Sequence, residues 1–491
     1  MTNLGLNTPR RDLTVTADPY DPNDFRRDGH ALVDILADHL DSTSRREGKV
    51  LDYVAPPELL DRWTGTFQPG PGTSLIDLMP QLLRESHHLY HPHYVGHQVS
   101  SPLPSAALAE LVSAMLNNGS GEYEMGPVSN VMERRLVDWL GSTLGFPGPV
   151  EGIFTSGGSA GNLTALAAAR QSIDGLDVWN RGVADVPPLA ILVSDQAHYS
   201  TDRAARILGL GADGVVSVPS DAQFRLDPTE LRAAHARAEN AGRRVFAVVG
   251  NACSTSTGAF DPLDAIADYA AEHGLWFHVD GAHGAAAALS PKYRHLVAGI
   301  GRADSVIVDA HKMLHMPALV TAVVFGRRGA ADRTFQQDQS YVGFHAEKGE
   351  YSWWDSGLRT LECTKRMMAL ELYASLSEHG TDRFADHVTM TFDLARWFAG
   401  LLRDSPDFEI AAEPEANIVC FRHVPDGARD LDELQLLIRE RIVRRGDFYI
   451  VKTRLPKGVY LRISIMNDRT TEDDLRDLLD GIRTAGGEVG A

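Results

Sequence analysis

Leu275-Trp276-Phe277-His278-Val279-Asp280-Gly281-Ala282-His283 is the stretch from which the fold of this 491-residue chain is read. Residues 275–279 are apolar apart from one histidine, too few for a helix, and are stopped by Asp280-Gly281, which predicts a buried strand with Asp280 at its carboxyl end. Runs of the same kind recur at 152–155, 189–193, 215–218, 245–249, 305–308 and 319–325. Helix-like stretches at 161–170, 228–241 and 262–273 lie between them. Alternating strand and helix predicts an α/β fold with a mostly parallel central sheet covered by helices on both faces. Ligands of such sheets sit outside the carboxyl ends of the strands, so Asp280 stands where chemistry is expected.

The rest of the chain is organised around that core. Residues 1–103 read as an N-terminal arm, rich in Pro and Gly, with one amphipathic helix over 25–40 in which Leu32, Ile35, Leu36 and Leu40 recur at helical spacing. Residues 104–370 form the large domain, and 371–491 a smaller α+β domain with one long helix, strands at 418–421 and 459–465, and an acidic closing helix from Thr471. A net charge of −19, from 47 Lys+Arg against 66 Asp+Glu, offers no basic footprint for nucleic acid or an anionic membrane surface. Small molecules are the expected partners. The longest apolar run of the middle of the chain, 318–325, is far short of the roughly 20 residues that span a bilayer. No apolar stretch of a secretory signal is found in residues 1–20, so the cytoplasm is the expected location. Three cysteines, Cys253, Cys363 and Cys420, are too far apart for a disulfide framework or a metal knuckle.

Two further segments join Asp280. The strand around 304–308 runs into Asp309-Ala310-His311-Lys312, a lysine at a second strand end. Phe154-Thr155-Ser156-Gly157-Gly158-Ser159 lies between a strand and a helix, where exposed N–H groups and the helix dipole can hold a phosphate. In this order the three resemble the fold-type I enzymes that use pyridoxal 5′-phosphate (PLP), and in detail the group II amino-acid decarboxylases: the glutamate, cysteine-sulfinate and aromatic-L-amino-acid enzymes. The matching motifs are Ser194-Asp195-Gln196-Ala197-His198, His278-Val279-Asp280, Ala303-Asp304-Ser305, Ala310-His311-Lys312, Gln337-Asp338-Gln339-Ser340-Tyr341 and Leu461-Arg462. The resemblance runs from about 25 to 482.

That resemblance implies a role for each matching residue. Lys312 carries PLP covalently, and Asp280 faces the pyridine nitrogen and keeps it protonated, which makes the ring an electron sink. His198 stacks on the ring, a satisfied core histidine being its other reading. Gly158 and Ser159 hold the phosphate, Ala282 packs on the ring and His311 lies near the phosphate. Thr255 is the family's threonine near the cofactor, although this chain carries Cys253-Ser254-Thr255 where the family commonly has Gly-Thr-Thr. Residues 327–357 read as a lid loop whose Tyr341 returns a proton to Cα. Arg462 reaches a substrate carboxylate, or else serves a structural ion pair, and Gln98 and Ser100 belong to the substrate pocket. These polar positions favour an acidic or small polar L-amino acid over an aromatic or diamino acid. The expected products are the amine and CO2, an aldehyde synthase being the alternative that loss of the tyrosine would favour. The family implies a homodimer with its active site at the subunit interface. The histidine-rich segment 87–97 lacks a completing Cys or carboxylate set, so no metal site is expected.

Overall fold

The computed structural model describes residues 18–63, 72–332, 334–335 and 354–489. Before the central sheet come α1 (Pro22–Ser44), α2 (Pro56–Arg62) and α3 (Leu75–Glu85), where the sequence predicts one helix. The two additional helices are 7 and 11 residues long and stand among prolines and glycines, so neither gives a periodic pattern long enough to notice. Trp63 Nε1 donates to Glu85 Oε2 at 2.6 Å and ties the end of α2 to the end of α3.

The chain continues through α4 (Pro104–Leu116) and α5 (Pro127–Thr143) into β1 (Glu151–Thr155), α6 (Gly158–Gln171), α7 (Val178–Arg181), β2 (Leu189–Ser194) and α8 (Tyr199–Ile207). There follow β3 (Val215–Val218), α9 (Leu231–Asn240), β4 (Arg244–Asn251), α10 (Leu263–His273), β5 (Trp276–Asp280), β6 (Ser305–Asp309) and β7 (Thr321–Phe325). These seven strands form one sheet in the order β1-β7-β6-β5-β4-β2-β3. β7 runs antiparallel to both of its neighbours, and β6, β5, β4, β2 and β3 pair in parallel. Every residue of β2, β5, β6 and β7 is buried, as cover on both faces requires, and this is why they read as largely apolar runs. Within them the pleat still sorts side chains. Phe154, Leu192, Val248, Phe277 and Val306 face a core with Leu136 and Ile266, whereas Ile153, Ile191, Val249, Trp276 and Ile307 face one with Leu166 and Ala205.

Beyond the sheet lie α11 (Ala369–His379), α12 (Asp382–Arg403), β8 (Phe408–Ile410), β9 (Ile418–His423), α13 (Leu431–Arg445), β10 (Val451–Leu455), β11 (Gly458–Ser464) and α14 (Glu472–Val489). The four strands make an antiparallel sheet, β10-β11-β9-β8, whose Val419, Phe421, Leu461 and Ile463 pack with Ile438 of α13 and Leu475 and Leu479 of α14. No helix among the described residues is long and apolar enough to cross a membrane.

Candidate active site

Parallel pairing places the ends of neighbouring strands side by side. Asn251 of β4 registers with Asp280 of β5, and Asp280 with Ile307 of β6, so the residues that leave these strands converge at one edge of the sheet. They line a cavity of about 320 Å³ that includes Gly158, Ser159, His198, Thr255, Asp280, Ala282, His311 and Lys312. Eight of the expected site residues thus meet in one place.

At one end the chain turns out of β1 through Ser156-Gly157 and starts α6 with its first N–H groups free of helical partners. Gly157 has φ +104°, which favours glycine, and a Cβ at Gly158 would stand 3.1 Å from both Asp309 carboxylate oxygens. Asp309 also lies 3.1 Å from the Lys312 ammonium through Oδ2 and accepts from Thr321 Oγ1 at 2.6 Å through Oδ1. Burial works against the Lys312 charge, but Asp309 and then Asp280 outweigh it and hold the ammonium above the usual lysine range.

Asp280 Oδ2 accepts from Asn162 Nδ2 at 2.9 Å, and Oδ1 accepts from the Ala282 N–H at 3.2 Å. His198 caps the start of α8: its Nδ1 lies 2.7 Å from Ser200 Oγ, and burial lowers its pKa against the opposing pull of Asp280. His283 lines the cavity as well, donating Nε2–H to Asn417 Oδ1 at 2.7 Å, while its buried Nδ1 has no partner among the described residues. Burial takes its pKa down to about 3, so the ring is neutral. Asn162, His283 and Asp309 were not singled out for roles by sequence reasoning. Asn162 lies one turn beyond Gly158 on α6, and that spacing is the only signal it offers.

The three substrate residues expected from the sequence stand outside the wall of this cavity. Ser100 Oγ donates to the His311 carbonyl at 3.2 Å, and Arg462 Nη1 donates to the Thr255 carbonyl at 2.5 Å. Gln98 is buried with Nε2 unpartnered among the described residues. Tyr341 and most of the expected lid lie outside the described residues.

The histidine-rich segment is occupied by its own contacts. His93 bonds the Asp447 carbonyl and Asp474, each at 3.0 Å, and burial holds His87 and His91 neutral with pKa values of about 4. Elsewhere among the described residues His315, His387 and Asp468 come together. There the carboxylate is already held by Arg383 and His387.

A half-buried amine, a carboxylate in the same cavity and a glycine turn at a helix start suit a flat aromatic aldehyde that bears a phosphate and a basic ring nitrogen. The donor set fits PLP, and the cavity has the size of a small-cofactor site. The human cysteine sulfinic acid decarboxylase is 31% identical over 458 residues, 90% of this chain and 92% of the relative. The aromatic-L-amino-acid decarboxylase of Bacillus atrophaeus is 28% identical over 475 residues, 95% and 96% of the two. The crystal structure of Oryza sativa TDC with PLP and tryptamine is similar with a TM-score of 0.87 and 25% identity, covering 96% of this chain and 99% of that chain. Residues 77–424 match the family described as the pyridoxal-dependent decarboxylase conserved domain. The chain belongs to that family, in its group II branch, and is a PLP-dependent amino-acid decarboxylase.

Proposed function

We propose that the enzyme decarboxylates an L-amino acid with an acidic or small polar side chain, of the glutamate, aspartate or cysteine-sulfinate type. Arg462 carries this reading. The residue is 6% exposed, burial lowers its pKa, and among the described residues no carboxylate pairs with it and Nε has no partner. An unpaired buried cation is costly, and a substrate side-chain carboxylate would supply the missing anion in bidentate form. Gln98 and Ser100 belong to the same polar surround.

In this reading Lys312 would hold the cofactor through its amine. PLP, when bound, supplies an electron sink for the pair released as CO2 departs. Asp280 would keep a proton on the pyridine nitrogen, His198 and Ala282 would flank the ring, and Thr255 and His311 would complete the surround. Gly158 and Ser159 bind phosphate through backbone N–H groups and a hydroxyl, aided by the dipole of α6. Tyr341 returns the proton to Cα. The reading includes a homodimer in which Tyr341 acts at the neighbouring subunit's site. Leu108, Leu111, Val112, Met115 and Leu116 of α4 and Val128 and Val131 of α5 are all exposed, which supports a partner surface of the same chain.

The test is CO2 and amine release from the holoenzyme across a panel of amino acids. Turnover is expected with an acidic amino acid, and Arg462→Gln should lower its kcat/KM by about 30-fold or more, the loss expected when one member of a buried charge pair is removed. Fastest turnover of an aromatic or diamino acid, or no effect of Arg462→Gln, would refute the assignment.

A further inference from the structure

Asn162 is 1% exposed, and its amide touches Asp280 directly and His198 through Ser200. Nδ2 lies 2.9 Å from Asp280 Oδ2 and 2.9 Å from Ser200 Oγ, and Oδ1 lies 2.9 Å from His278 Nε2. One arm continues from His278 Nδ1 to Ser305 Oγ at 2.9 Å, and from there to Trp276 Nε1 at 2.9 Å. The other continues from Ser200 Oγ to His198 Nδ1 at 2.7 Å.

The direction of each hydrogen bond follows from what each group is able to do. A carboxylate only accepts and an indole N–H only donates. Asp280 therefore takes an N–H from Asn162, and the amide is fixed with Oδ1 towards His278. His278 Nε2 must donate to that oxygen. Burial lowers the His278 pKa to about 4, so the ring is neutral and Nδ1 accepts the Ser305 hydroxyl, whose oxygen takes the Trp276 N–H. On the other arm the second Asn162 N–H goes to Ser200 Oγ. The Ser200 hydroxyl and its backbone N–H, at 3.3 Å, both point at His198 Nδ1, which leaves the proton of that ring on Nε2.

We propose that Asn162 is a positioning residue that orients Asp280 and His198 together, and that His278, backed by Ser305 and Trp276, locks the amide in the one orientation that serves both. Asp280 Oδ1, the oxygen not held by Asn162, accepts only the Ala282 N–H at 3.2 Å and would keep a lone pair for the pyridine nitrogen, and His198 would meet the ring in a single tautomer. This rests on the roles assigned above to Asp280 and His198.

The experiment compares wild type, Asn162→Asp, Ser305→Ala and Asp280→Ala. Asn162→Asp keeps the side-chain volume and the acceptor for His278 but turns an oxygen towards Asp280. Ser305→Ala touches neither Asp280 nor the cavity; it frees His278 to give its proton to the Ser305 carbonyl, 3.2 Å from Nδ1, and so removes what holds the amide. PLP affinity of each cofactor-free protein is read from tryptophan fluorescence, the long-wavelength absorbance of bound cofactor from its spectrum, and folding from a thermal melt. Asn162→Asp should weaken PLP binding about tenfold or more, the scale of one hydrogen bond to a charged group, and diminish the long-wavelength band. Ser305→Ala should shift both readouts in the same direction by a smaller factor, and it decides alone if Asn162→Asp does not fold. Unchanged affinity and spectrum, or a lowered melting temperature with neither readout altered, would overturn the proposal. Asp280→Ala with wild-type affinity and spectrum would instead remove the assignment of Asp280 on which it stands.

Discussion

Replacing Lys365 with Met tests how β1, the edge strand of the large sheet, is closed. Phe154 registers with Ala322 of β7, and its N–H and C=O are directed away from that strand. The N–H goes to Glu133 Oε1 at 3.0 Å and the C=O takes Lys365 Nζ at 2.8 Å, while Nζ and Oε1 pair at 2.6 Å. Both side chains are buried, 3% and 7% exposed for Lys365 and Glu133. A buried edge with unfilled backbone groups would be costly, and this ion pair fills them. Lys365→Met leaves the carboxylate without its cation and the Phe154 carbonyl without a donor, a change expected to cost about 3–5 kcal/mol. Adding Glu133→Gln removes the stranded charge and keeps an oxygen for the Phe154 N–H, so the double variant should regain about 2 kcal/mol. Urea unfolding followed by far-UV circular dichroism, at one protein concentration, gives the four corners of the cycle. A loss below about 1 kcal/mol for Lys365→Met, or a double variant as unstable as the sum of the singles, would refute the reasoning. Because Phe154 leads into the Ser156-Gly157 turn, Lys365→Met should also weaken PLP binding.

Burial, then a hydrogen bond with Glu110, raises the Glu371 carboxyl to about 8. Its folded pKa exceeds the unfolded one, so its stabilising contribution is complete below about 4.5 and is lost as pH rises through about 8. Glu371→Gln should flatten that decline in a series of thermal melts, and parallel losses in variant and wild type would contradict it. A Cβ on Gly284 would stand 2.5 Å from the Cys253 backbone nitrogen and 2.6 Å from the Ala252 carbonyl carbon, so Gly284→Ala should cost about 1–3 kcal/mol by pressing on Cys253, which lines the cavity. An unchanged melting temperature would show that this backbone yields freely. Tyr341→Phe should raise aldehyde relative to amine in aerobic product analysis; equal ratios would remove Tyr341 from proton return.

What the sequence disclosed follows from where its physical signal was strong. The inner strands of the large sheet are buried on both faces, so they print mostly apolar runs, and the parallel connection then puts Asp280, Lys312 and His198 at one edge without further information. β10 is an edge strand whose Lys452 is exposed, and it prints no such run. α13 carries Glu433, Glu440, Arg441, Arg444 and Arg445 over a narrow apolar stripe, and β8 is three residues long, so these elements were legible only once packed. The site divides in the same way. Residues whose chemistry is their own, an amine or a carboxylate at a strand end, could be named beforehand, whereas Asn162 acquires its role from a partner 118 positions away. Arg462 is the informative intermediate. The sequence left it between a substrate contact and a structural ion pair, and the choice depended on whether the fold brings a carboxylate to it. Among the described residues none pairs with it; its bond is to the Thr255 carbonyl, whose residue faces the cofactor cavity. A buried guanidinium tied to the cavity wall through a neutral acceptor keeps its charge uncompensated, and under the proposed function that uncompensated charge would give an acidic substrate its advantage over an apolar one.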